Sequence, residues 1–220
     1  MLLPGFILEL KDVVQKKDWD KAAAIIWVLG YVGLYAWRLP VIYQHGRYIM
    51  PAMPLGFIIG LAGMMRWIEL ENKSFWRRLV SGVWVGSIII VTAVFWILGA
   101  RVYARDVAVI ETEMVHVSRW IEANSDKNDV IAAHDIGALG YFSNRHIIDL
   151  AGLITPDVIP FIRNEDMLRK YLDQKDTKYL MAFPDWYPKL VNGLELAFKS
   201  NGKYAPELGS TNMTLYYWKK

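Results

Sequence analysis

Cysteine is absent from this chain, which removes a disulfide framework and any thiolate metal site and leaves the redox compartment without a marker. Basic runs are short: no Lys/Arg run exceeds a pair and the net charge is only +3. The electrostatic footprint of a nucleic-acid binder is therefore missing, and nucleic acid is not an expected partner. No Pro/Ser-rich linker divides the sequence, and residues 38–50 contain neither Asp nor Glu. What abounds is apolar. Hydrophobic residues make up 54% of the 220, with a mean hydropathy of +0.19, high for a water-soluble protein. The excess sits in the first hundred residues, which also hold seven of the ten Trp: Trp19, Trp27, Trp37, Trp67, Trp76, Trp84 and Trp96.

Three tracts there lack charge: 16 residues between Lys21 and Arg38, 18 between Arg47 and Arg66, and 22 from Leu79 to Ala100. A bilayer core roughly 30 Å thick takes about 20 helical residues. The third tract spans outright, and the others do so if Trp37, Trp67 and the flanking Arg stems reach the interface. Composition thus predicts a transmembrane region over residues 1–103, with spans near 22–38, 49–67 and 79–100. Buried helices of a soluble core fit less well, because the tracts are apolar around their whole circumference. Lys11, Lys16, Lys17 and Lys21 before the first span, and Arg66, Lys73, Arg77 and Arg78 between the second and third, outnumber Arg38 and Arg47 in the intervening loop. The positive-inside bias then places a multi-pass protein in the cytoplasmic membrane, with residues 38–50 and everything after Arg101 extracytoplasmic. The opening "MLLPGFILEL" reads either as the last turns of a preceding membrane helix, as in a chain that begins inside a longer gene, or as a short interfacial helix.

Residues 104–220 have the texture of a small α/β domain with a mixed, Rossmann-like sheet. A helix is expected over 106–123, strands at 130–135, 146–150 and 178–183, and helices at 136–142, 165–174 and 185–200. A closing antiparallel pair is expected from 204–210 and 213–219. His134, Asp135, His146 and Asp149 fall at the ends of two adjacent expected strands, and four such side chains converging would suit a divalent metal or acid/base work. The spacing is not diagnostic, and a structural role is favoured, with Asp135 capping the helix that follows it. Neither a metal nor another cofactor is expected. Gly137 and Gly140 do not form a phosphate loop, since "DIGALG" lacks the G-x-G-x-x-G order.

The stronger candidate is the polar island "YQHGRYIMPAMP" at 43–54. His45, Arg47 and Tyr48 precede a span whose first turn holds prolines, where a missing N–H does least harm. An always-charged Arg beside the amides of a helix start suits a phosphate or carboxylate at headgroup depth. Equally, Arg47 serves as a lipid-phosphate anchor and Tyr48 as part of an aromatic belt.

"HGRYIMPAMP" opening an apolar span, followed by "DIGALGYFSNRHIIDLAGL" at 135–153, resembles the C-terminal part of bacterial GT-C membrane glycosyltransferases, the class of dolichyl-phosphate-mannose protein mannosyltransferases and lipid A aminoarabinose transferases. The resemblance implies transfer of a hexosyl or pentosyl group from a polyprenyl-phosphate-linked donor at the outer face. Arg47, Tyr48 and His45 would bind the carrier phosphate and stabilise the leaving group's charge. It also implies a catalytic carboxylate in an early outward loop, which residues 38–50 do not supply. No catalytic residue is therefore assigned within this chain, which is expected to be inactive alone and to need upstream helices or a partner subunit. A membrane-anchored outer domain that binds without catalysis is the alternative.

Overall fold

A computed structural model of the chain describes residues 1–38, 44–69 and 74–218. The chain divides into two compact units, Met1–Trp96 and Ile97–Lys220. The division falls inside the third apolar tract rather than after it.

The first unit is helical: α1 (Leu3–Lys16), α2 (Trp19–Arg38), a 3-10 segment (Gln44–Ala52), α3 (Met53–Glu69) and the start of α4 (Phe75–Ile110). Pro4 opens α1 within its first turn, and Lys17 closes it in the left-handed region at φ 56°. Asp18 then starts α2 by accepting from the Lys21 amide at 3.2 Å. α1 lies along α3 in the same direction, Gly5 against Gly60 and Gly63, with Glu9 further on against Arg66. At these three glycines the backbones touch so closely that a Cβ would strike a carbonyl of the facing helix. Small residues at the crossing are how helices pack when the surroundings are as apolar as the side chains. The small core holds Phe6, Val13, Ile25, Val28 and Ile59.

Among the described residues two helical stretches are long and apolar enough to cross a membrane: Gly46–Glu69, 24 residues of mean hydropathy 1.6, and Phe75–Asn124, 50 residues at 2.3. The most apolar part of the second is not buried at all. Exposed residues there include Ile90 (64%), Phe95 (75%) and Trp96 (80%). The 20-residue α2 falls outside that pair.

In the second unit a π-helical turn (Glu111–Val115) joins α4 to α5 (His116–Asn124). There follow β1 (Val130–Ala133), α6 (Ile136–Ser143), β2 (His146–Asp149), α7 (Glu165–Gln174), β3 (Thr177–Ala182), β4 (Glu195–Lys199), α8 (Tyr204–Glu207) and β5 (Thr214–Tyr217). The five-stranded mixed sheet has the order β2-β1-β3-β5-β4; β1 pairs parallel with β2 and β3, and β5 antiparallel with β3 and β4. Alternation along β1 sends Ile131 and Ala133 to one face, with Val117, Ile121 and Leu139 of α5 and α6. Ala132 goes to the other, with Leu168 and Leu172 of α7. Each fully buried Leu contributes about 1.5–3 kcal/mol.

The expected helix at 185–200 does not form. Pro188 removes a donor, Gly193 sits at φ 79°, and the segment turns before entering β4. Its backbone is held by α7 instead: Glu165 accepts from the Lys189 and Leu190 amides at 2.8 and 2.7 Å, and Arg169 donates to the Lys189 and Leu190 carbonyls at 2.9 and 2.6 Å. The closing antiparallel pair exists, but its partners are β4 and β5, while residues 204–207 form α8.

Candidate functional site

The polar island keeps its short helical character as a 3-10 segment, with Pro51 inside it and Pro54 in the first turn of α3. Gly46 takes φ 68°, a conformation glycine reaches without strain. Arg47 is exposed, and its guanidinium stands 5.0 Å from the centroid of the Tyr48 ring and donates to Tyr48 Oη at 3.1 Å. That contact uses one of five donors. The side chain of His45 lies outside the described residues.

Tyr48 ends a row of four rings, three of which residue spacing alone could have shown. Trp27, Tyr31 and Tyr35 recur every four residues and so share one face of α2. Their centroids are 5.3 and 4.9 Å apart, and Tyr35 lies 6.0 Å from Tyr48. The site thus offers a cation, a phenol and an aromatic stripe, and within 44–52 no carboxylate. It can hold an anion with an apolar tail; it has no carboxylate to serve as a base.

In the α/β unit the proposed quartet separates. Parallel pairing sets His146 beside Val130 at one end of β1 and Asp149 beside Ala133 at the other, so His146 and His134 stand at opposite ends of the sheet. Asp149, fully buried, accepts from the amides of Ala151 (2.7 Å), Leu153 and Ile154 (3.0 Å), and so builds its own loop. Gly152 in that loop adopts φ 79°. Arg145 ties the end of α5 to the end of α6 through Ser125, Glu122 and the Ser143 carbonyl. Much of "SNRHIIDLAGL" is thereby explained as scaffold. Among the described residues no group of three or more His, Asp or Glu is placed to hold a metal.

His134 and Tyr187 share a hydrogen bond of 2.6 Å, the tautomer deciding which donates, and Trp186 meets the His134 ring edge-on at 5.2 Å. Burial, reinforced by the negative charges of Asp135, Asp149 and Glu165, pushes the Tyr187 phenol up to about 12. The expected cap by Asp135 is not made: it occupies the N-cap position of α6 with no side-chain hydrogen bond to the helix. Its Oδ2 is buried without a hydrogen-bond partner among the described residues. Burial raises its pKa, against the opposing pull of His134.

Two features escaped the sequence reading. Glu113, fully buried in the π-helical turn, accepts from Ser200 Oγ, Asn212 Nδ2 (2.9 Å) and the Met213 amide (2.8 Å). Gly202 packs so closely on Thr112 and Glu113 that a Cβ has no room. Beside this turn opens a cleft of about 560 Å³ whose lining includes His116, Arg119, Lys203 and Tyr204. The other feature is the burial of Glu9, 57 positions from the Arg66 it pairs with.

Residues 103–216 match the model of a family described as a domain of unknown function, DUF8728. No curated protein matches the chain.

Proposed function

We propose that this chain, which belongs to the DUF8728 family through residues 103–216, is the donor-binding part of a GT-C-like membrane glycosyltransferase, holding a polyprenyl-phosphate-linked sugar at the outer face. The observation that carries this is Arg47 with Tyr48 at the entry to α3, continuous with the aromatic stripe of α2. A guanidinium beside a phenol gives a phosphate charge-assisted hydrogen bonds, and the stripe gives an isoprenoid tail an apolar wall. In this reading α2 is a third span beside the two apolar helices, the Lys/Arg-rich segments face the cytoplasm, and the α/β unit is extracytoplasmic. The carboxylate that acts on the acceptor comes from outside residues 38–50, from further helices or a partner subunit.

The test is turnover of the complete enzyme in its own membrane. Arg47→Ala lowers it on the order of 10²-fold if one charge-stabilising contact is lost, and Arg47→Lys restores part of it; an unchanged rate for Arg47→Ala removes the residue from the mechanism.

A second reading, a membrane-anchored binding domain without catalysis, draws on the cleft beside the π-helical turn and on the two cores flanking the sheet. Under it, Arg47→Ala leaves the protein's function intact, and substitutions of Arg119 and Lys203 abolish binding.

A further inference from the structure

Two charged side chains in the helical unit line a cavity that the donor site does not use. The cavity, about 210 Å³, is bounded by Glu9 of α1, Lys21 and Ala24 of α2, and Leu55, Ile58 and Ala62 of α3. At ~30 Å³ each it has room for roughly seven groups of water size. Its polar groups are at one end and its wall is otherwise aliphatic. From Ala62 back to Leu55 that wall covers about 10 Å of α3, at ~1.5 Å per residue. Ile58 is 64% exposed, so the groove opens on the outside of the unit.

Glu9 is 3% exposed. Its Oε1 accepts from Arg66 at 2.8 Å and lies 3.6 Å from Lys21 Nζ. Its Oε2 is buried with no hydrogen-bond partner among the described residues. A buried carboxylate oxygen without a donor is costly, and an ionisable group among membrane helices marks a functional site by default. Arg66 is taken up by Glu9 and Asp12, whereas the Lys21 ammonium, 3.5 Å from Asp18 and 3.6 Å from Glu9, has three donors and keeps capacity for an anion; among the described residues Oε2 has no donor.

We propose that this groove is a binding site for a bilayer phospholipid with a primary ammonium headgroup. The ammonium donates to Glu9 Oε2, the lipid phosphate meets the Lys21 ammonium, and an acyl chain lies along Ala24, Leu55, Ile58 and Ala62. An anionic head without an amine meets Glu9 unfavourably. A choline head brings the charge but no N–H for Oε2. The inference rests on the reading that the helical unit lies in a bilayer.

The experiment uses the full chain, purified in detergent and titrated with phosphatidylethanolamine, its N-methyl and N,N-dimethyl derivatives, phosphatidylcholine and phosphatidylglycerol of identical acyl chains, with bound lipid counted by native mass spectrometry. Retention falls stepwise as N–H donors are removed, with about tenfold between ethanolamine and choline heads. Glu9→Gln brings that ratio near one, and Ala62→Phe, which fills the groove and leaves the Glu9 and Arg66 side chains in place, lowers retention of every head. Equal retention of ethanolamine and choline lipids by the unsubstituted protein overturns the proposal, as does a preference for phosphatidylglycerol. Alkaline carbonate washing of native membranes separates the two levels. Release of the chain defeats the bilayer reading itself, whereas retention without headgroup preference defeats this proposal alone.

Discussion

The two units place hydrocarbon in opposite ways, although each buries carboxylates, Glu9 in one and Glu113 and Asp149 in the other. In the helical unit Glu9 is 3% exposed and pairs with Arg66, while Ile90, Phe95 and Trp96 are 64%, 75% and 80% exposed. In the α/β unit Ile131, Leu172 and Leu180 are fully buried between sheet and helices. The hydrophobic effect produces the second arrangement wherever water is the solvent. It does not produce the first, which is the order expected where lipid surrounds the helices and close contacts at Gly5, Gly60 and Gly63 replace a large apolar core. On the proposed reading, one chain meets two solvents.

Substitutions can break that comparison. The largest expected effect is in the α/β unit, where Glu113→Ala leaves the Met213 amide and the Ser200 hydroxyl without this acceptor and leaves Asn212 Nδ2 only the Gly202 carbonyl. It costs about 3–5 kcal/mol, measured as a lower thermal midpoint for this unit with carbonate resistance of the chain unchanged. Next comes a matched pair of exposed sites. Ile90→Lys in α4 costs about 2.5–3.5 kcal/mol of membrane insertion, whereas Leu153→Lys, 80% exposed in the α/β unit, changes stability by no more than about 0.5 kcal/mol. Similar outcomes in an insertion assay and a melting assay would erase the distinction between the two surfaces.

The smallest effect is pH-dependent. Asp135 has a folded pKa raised by burial, so the fold favours its protonated form. The stability that this form contributes is complete below the ordinary carboxylate value near 3.9 and is lost as pH rises through the raised pKa. Asp135→Asn therefore raises the melting midpoint at pH 7 and leaves it unchanged at pH 3; a rise of equal size at both would show that charge is not the cause.

Strands β1, β2 and β3 were legible because each is a short apolar run bounded by turn residues, and α7 because Leu168 and Leu172 recur at helical spacing above the Asn164 cap, which accepts from the Met167 amide at 3.1 Å. Residues 185–200 misled because "LVNGLELAF" has helical periodicity, and side chains of α7, far off in sequence, decide its backbone. For Asp135, residue type and position matched a cap, yet the N-cap geometry placed its carboxylate elsewhere. Arg47 and Tyr48 were legible as a pair of neighbours. Glu9 was not, since nothing local in "FILELKD" reveals that Arg66 reaches it.

The central claim is that Arg47 holds the phosphate of a lipid-linked donor. Equilibrium binding of a long-chain polyprenyl phosphate to the full chain in lipid nanodiscs tests it most directly, comparing the unsubstituted protein with Arg47→Ala. The account predicts saturable binding that weakens by about 1.5–3 kcal/mol, at least tenfold, when the guanidinium is removed. Equal affinity of the two proteins, or no saturable binding by either, would contradict it.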